Sequence, residues 1–268
     1  MKPSRDATAL TSGTPARKGT SARATPFPRR HRNIEWQAGP RWPEEKTAPS
    51  SRGEPRAPQT QIWAPDVSRR ADGTWLMYFS ATSAERAAMC VGAAVADVRG
   101  PYRPAGDRPL VCPPHDGSDI APQGFTDTDG TRYLLYKSLH GTGEPSTLWL
   151  QRVDRAGLTL TGGRKPLLRV DSPDEEGVIE APFLRNTGGG YTDESYHTSY
   201  ATASTVDGPY RKAGALLTTD GLGGAVDGPG GAAIADGTLY FHGRLPGRKA
   251  RALYSLPIRF DGTKPVLG

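Results

Sequence analysis

One carboxylate in this chain has neighbours suited to keeping a proton on it. Glu180 lies in the run Val178-Ile179-Glu180-Ala181-Pro182. Apolar flanks desolvate a carboxyl group and favour its neutral form, so such a group can donate a proton near neutral pH. A structural Glu at a sheet edge is the alternative reading. Trp63, in Trp63-Ala64-Pro65-Asp66-Val67, is either an aromatic stacking face or a core residue. Phe125 is pocket wall or core. His242, in Tyr240-Phe241-His242-Gly243, is a lone histidine, and a lone histidine is more often a hydrogen-bonded core residue than a metal ligand. Arg244, Arg248 and Arg251 follow it, either solvated or paired with an acid such as Glu180. The 2 cysteines, Cys90 and Cys112, are too few for a disulfide framework or a four-thiolate zinc site. They could pair across adjacent strands, and no catalytic His–Cys arrangement is evident.

The elements that must position these residues are short strands. Trp75-Leu76-Met77-Tyr78-Phe79, Tyr133-Leu134-Leu135-Tyr136 and Leu239-Tyr240-Phe241 are rich in β-forming types. Each follows an Asp-Gly-Thr turn: Asp72-Gly73-Thr74, Asp129-Gly130-Thr131 and Asp236-Gly237-Thr238. Asp-Gly between apolar runs is a strong hairpin signal because the turn needs positive φ. A second unit recurs: Gly92 to Asp97 followed by Gly100-Pro101-Tyr102 matches Ser199 to Ser204 followed by Gly208-Pro209-Tyr210. No segment reads as a long amphipathic helix. Repeats of roughly 50 residues built from short strands predict a β-propeller, with a β-sandwich as the alternative.

Charge divides the chain. Residues 1–60 hold 12 Lys+Arg and 5 Asp+Glu, whereas the whole chain holds 34 and 28. The body is therefore near neutral, which argues against a nucleic-acid-binding domain. Residues 1–60 also hold 9 Pro and 12 Ser+Thr, with few large apolar residues. Such a stretch is expected to stay disordered, because it cannot bury enough surface to offset ordering entropy. No apolar run of about 18 residues predicts a membrane span. The first residues lack the apolar core of a secretory signal, so the compartment stays unknown.

Three motifs lie in order on this repeat: Trp63 to Val67, Ile120-Ala121-Pro122-Gln123-Gly124-Phe125 through Gly130, and Val178 to Pro182. Together with the Gly-Pro-Tyr units they resemble glycoside hydrolase family 43. The resemblance covers residues 61–268, leaving 1–60 as the basic segment. It implies an all-β, five-bladed propeller acting on arabinose- and xylose-containing polysaccharides of the plant cell wall, as a monomer, without cofactor, nucleic acid or membrane. Family members are often secreted.

The resemblance also implies roles. An inverting glycosidase needs an acid to protonate the leaving oxygen and a second carboxylate, about 6.5–9.5 Å away, to activate water. By resemblance Glu180 is the acid, and a third carboxylate tunes it. Ala121 stands at that tuning position. Asp119, two residues earlier, would face the same side of a strand but be displaced by roughly 6 Å or more. The family's base belongs to a first blade ahead of Trp63, where the sole Asp is Asp6. That blade is expected to be missing. A later strand is also expected to be missing, since Gly73 to Gly100 spans 27 residues and the equivalent Gly190 to Gly208 only 18. In this frame Trp63 and Phe125 would contact sugar. His242 would lie near the central channel, where some relatives hold an ion, although no metal is expected here. The alternative function is a catalytically inactive carbohydrate-binding propeller.

Overall fold

The computed structural model describes residues 7–10, 25–26, 62–83, 86, 88–97, 102–139, 145–175, 177–183, 196–245, 247 and 250–268. Among them every regular element is a strand apart from two 3₁₀ turns, Pro173–Glu175 and Asp220–Leu222. Within the first 60 residues two short strands are described, β1 (Ala7–Leu10) and β2 (Thr25–Pro26). The rest of that stretch, including Arg29 to Arg32, lies outside the described residues.

The chain divides into two compact units. One comprises residues 33–144 and 149–165. Its first sheet runs in the order β3 (Ile62–Arg69), β4 (Trp75–Ser83), β5 (Ala88–Ala96) and β6 (Arg103–Pro104). β7 (Ser118–Thr126), β8 (Arg132–Leu139) and β9 (Thr147–Val153) follow in a second sheet. Leu76, Tyr78, Val91, Val111, Leu134, Tyr136 and Val153 form one core cluster. Met77, Phe79, Ala81 and Ala94 form another from alternate residues of the same strands. Both faces of β4 are thus buried, which explains why it reads as a continuous apolar run rather than an alternating one. The Tyr78 hydroxyl donates to the Gly157 carbonyl at 2.6 Å, so its polar tip is satisfied inside that core. Cys90 and Cys112 are joined as a disulfide with Cα atoms 5.0 Å apart.

The other unit comprises residues 1–32, 145–148 and 166–268. After β10 (Lys165–Arg169) come β11 (Thr198–Ala203) and β12 (Arg211–Leu217), in a sheet ordered β1-β11-β12. The last sheet runs β13 (Asp227–Ala235), β14 (Thr238–Arg244), β15 (Arg251–Asp261) and β16 (Lys264–Leu267), with β2 also on β15. Leu239, Phe241, Tyr254, Leu256 and Ile258 centre its core.

The three Asp-Gly-Thr turns join β3 to β4, β7 to β8 and β13 to β14, as the sequence predicts. They are not identical. Asp236 and Gly237 both have positive φ, 46° and 71°, the requirement of a two-residue type I′ turn. In the first two only the glycine is left-handed, Gly73 at 87° and Gly130 at 86°.

Candidate active site

A left-handed residue followed by proline recurs four times. Ala64, Ala121, Ala181 and Gly228 have φ of 46°, 52°, 48° and 58°, and each precedes a proline. Ladder register breaks at three of them: between Trp63 and Asp66, Ile120 and Gln123, and Asp227 and Gly230. Left-handed alanine costs about 1–2 kcal/mol. Its use at three matching positions means that the sheet geometry, not local preference, sets the conformation. Proline suits the break because it brings no N–H to an interrupted ladder, and a bulge re-aims the adjacent side chain. The residues just ahead are Trp63, Ile120, Glu180 and Asp227. Asp227 therefore holds in its own sheet the place that Glu180 holds ahead of Ala181.

The backbone before Glu180 is clamped. Ile179 is 0% exposed and packs with Leu148, Leu168, Ala201 and Tyr210. Its N–H donates to Ser146 Oγ at 2.7 Å, and the Ser146 hydroxyl donates to the Ile179 carbonyl at 2.9 Å. The Val178 N–H donates to the Glu175 carbonyl at 2.8 Å. Glu175 Oε2 accepts from Asp171 N at 2.9 Å and Ser172 N at 3.3 Å. Lys212 Nζ then donates to Glu175 Oε1 at 2.5 Å and to Asp171 Oδ1 at 2.6 Å. Glu180 itself is half-buried.

The neighbourhood of Ala121 differs. Its N–H donates to Ser80 Oγ at 3.0 Å. Asp119 is 1% exposed, and its Oδ1 has no hydrogen-bond partner. Asp116 receives Arg164 in a bidentate pair, Nη2 to Oδ1 at 3.0 Å and Nη1 to Oδ2. Arg164 lies 4.0 Å from the centroid of the Trp149 ring. Burial holds the Asp119 carboxyl well above the ordinary carboxylate range; a hydrogen bond and the charge of Asp116 add to this, and Arg164 and Arg86 oppose it. At Ala121 the backbone is left-handed, with φ of 52°, and the ladder register shifts between Ile120 and Gln123.

Trp63 is 46% exposed on β3. Phe125 is half-buried on β7, opposite Tyr133. The two motifs meet through Asp66, whose Oδ2 accepts from Gly124 N at 2.8 Å. Burial pushes Asp66 up to about 6, against the pull of Gly124 and Arg132.

Glu180 and His242 belong to the other unit. His242 stacks parallel to Tyr196 at 6.0 Å. Arg251 donates to His242 Nδ1 at 2.8 Å and lies 5.7 Å from the Tyr196 centroid. Burial first, and Arg251 second, pull His242 down to about 4, so it is neutral at physiological pH. With Nδ1 accepting, the ring carries its proton on Nε2. Among the described residues no three His, Cys, Asp or Glu side chains form a metal-holding group. Arg244 Nε and Nη2 are buried without a hydrogen-bond partner. Arg248 lies outside the described residues.

Asp227 and the Asp116–Arg164 pair escaped the sequence reading. The signal for Asp227 was present in the repeat of Ala-Pro or Gly-Pro at positions 64, 121, 181 and 228.

Residues 34–248 match the family described as Glycosyl hydrolases family 43. The chain belongs to this family, and the match begins ahead of position 61, where the strand-and-turn texture starts. It is 28% identical over 191 residues to an extracellular endo-α-(1→5)-L-arabinanase of Bacillus subtilis, covering 61% of this chain and 39% of that protein. The chain thus spans well under half the length of that relative. Among solved structures, a thermostable family-43 glycoside hydrolase superposes with a TM-score of 0.66 at 22% identity, over 77% of this chain and 74% of that one. An endo-1,4-β-xylanase of Bacteroides thetaiotaomicron gives 0.63 at 22% identity, over 78% and 75%. The all-β fold is therefore the one that these family members share.

Proposed function

We propose that this chain is a glycoside hydrolase of arabinose- or xylose-containing polysaccharides, using an inverting acid/base mechanism with Glu180 as acid. One observation carries the reading: Glu180 directly precedes the recurring left-handed residue–proline step, on a clamped backbone, inside a family-43 match. The proposed frame is the family's propeller over residues 61–268, without its first blade and one later strand, working as a monomer. Glu180 gives its proton to the glycosidic oxygen as the bond to the sugar carbon breaks. Water attacks that carbon from the opposite face and yields its proton to a second carboxylate. Asp227 is the proposed partner, because it occupies the matching bulge of the last sheet. Trp63 and Phe125 would contact sugar, and His242 would face the binding region as a neutral ring.

The second reading is a carbohydrate-binding propeller without turnover. Ala121 favours it, since a methyl group neither accepts a hydrogen bond nor repels the ionised acid. Loss of a properly placed acid or base costs about 10²–10⁴-fold. Turnover is accordingly expected to be slow.

Aryl arabinofuranosides, aryl xylosides and arabinan at high protein load test both readings. The expected outcome is weak turnover that Glu180→Gln abolishes. Asp227→Asn should lower turnover of arabinan by about 10²-fold or more, and added azide should restore it by replacing the activated water. No turnover from a cooperatively melting protein that still binds arabinan would leave the binding reading. Turnover unchanged in Glu180→Gln would sink the catalytic assignment.

A further inference from the structure

The sheet that follows Glu180 differs from its siblings in where its strands come from. In the first sheet β5 lies between β4 and β6, and the Gly100-Pro101-Tyr102 unit links β5 to β6. In the third, β11 precedes the matching unit Gly208-Pro209-Tyr210 and then pairs with β12, so β11 is the counterpart of β5. The counterpart of β4 should pair antiparallel with the other edge of β11. That edge is taken instead by β1, in the register Ala7↔Ala203, Thr8↔Thr202, Ala9↔Ala201 and Leu10↔Tyr200. β4 pairs with β5 in the same antiparallel sense, Trp75↔Ala96 through Tyr78↔Ala93. Aligning Ala203 with Ala96 puts Ala7 to Leu10 where Trp75 to Tyr78 stand.

Chain length explains the substitution. From the residue ahead of the proline bulge to the start of the third strand is 25 residues in the first sheet (63 to 88). It is 27 in the second (120 to 147) and 24 in the last (227 to 251), but 18 here (180 to 198). A strand of the length of β4, with its turn, does not fit in the shorter connection. A β11 edge without a neighbour would leave a row of backbone N–H and C=O groups unpaired.

We propose that residues 7–10 are a complementing strand, supplied in cis by the N-terminal segment to the β11 edge that the shortened third repeat leaves without a partner of its own. This is strand addition to an exposed edge, in which main-chain hydrogen bonds give the affinity. It stands whether or not the chain hydrolyses anything.

The test uses the full chain and amide hydrogen exchange. In Thr8→Pro/Ala9→Pro one of the two altered amides faces β11, because adjacent strand residues alternate. Of the amides in Tyr200 to Ala203, those whose N–H faces β1 should then exchange at least about 10-fold faster, while the alternate ones that face β12 change less and those of β4 and β5 stay unchanged. A synthetic peptide of residues 3–14 added to this variant should restore protection. Unchanged exchange on β11 would overturn the proposal. Should the variant not fold, Thr8→Cys/Thr202→Cys in the otherwise intact chain decides. A crosslink between 8 and 202 within one molecule supports strand addition in cis. No crosslink, or one only between two molecules, overturns it.

Discussion

Around Ala121 the chain keeps two carboxylates, Asp116 at 5% exposure and Asp119 at 1%, sealed under Arg164. Around Glu180 the acids are Glu175 and Asp171, tied to Lys212 at the end of a loop where the Asp171 side chain is 69% exposed. At Ala121 the acids are buried and inward. At Glu180 only one is buried, Glu175 at 5% exposure, while Asp171 faces solvent; together they brace the backbone ahead of the half-buried candidate acid. The neighbourhood of Ala121 therefore holds two buried carboxylates, and Asp116 is paired with an arginine.

The largest effect that separates the two regions is loss of a cation. Arg164→Met leaves Asp116 charged in a site 5% exposed and should cost about 3 kcal/mol or more. Adding Asp116→Asn should recover much of that. Lys212→Met should cost less, about 1–3 kcal/mol, because Glu175, though buried, keeps two backbone donors and Asp171 faces solvent. Urea melts of the variants check this. Equal losses would mean that the two clusters are alike in kind.

The strand runs and the Asp-Gly-Thr turns were legible because each rests on local signals: β-forming side chains and positive-φ glycine. The bulge geometry was not, since Ala-Pro carries no sign that the alanine is left-handed. Asp227 hid behind Gly228, which replaces alanine in the fourth copy. The pairing of Ala7 to Leu10 with β11 was also invisible. It joins residues nearly 200 positions apart through backbone groups that every residue type carries. The shortened third repeat was legible as a gap, but not what fills its edge.

A pH titration sharpens the comparison next. Asp66 holds its proton up to about 6 when folded, against an ordinary value of 3.8. The folded state therefore binds more protons across that window, and stability falls as pH rises through it. The contribution is fully present below about pH 4 and lost by about pH 6, roughly 2–3 kcal/mol. Asp119 shifts in the same direction and extends the decline to higher pH. Asp66→Asn should flatten the lower part of the curve and Asp119→Asn the upper part. Stability that rises from pH 4 to 6 in the parent chain would refute the assignment.

The smallest expected effect on stability belongs to Trp63. At 46% exposure its ring buries only about half of what a core tryptophan would. The residues that fix its backbone are others: the left-handed Ala64 behind it and Asp66, which reaches Gly124. Trp63→Ala should thus cost about 1–2 kcal/mol. Stacking on a sugar is worth about 0.5–1.5 kcal/mol, so affinity for arabino- or xylo-oligosaccharides should drop by roughly 2–10-fold. Calorimetric titration alongside a thermal melt separates the two quantities. A stability loss with unchanged affinity would assign Trp63 to the fold. An affinity loss beside no more than that stability cost would show that this exposed ring, on the β3 side of the repeat, belongs to the surface that meets carbohydrate.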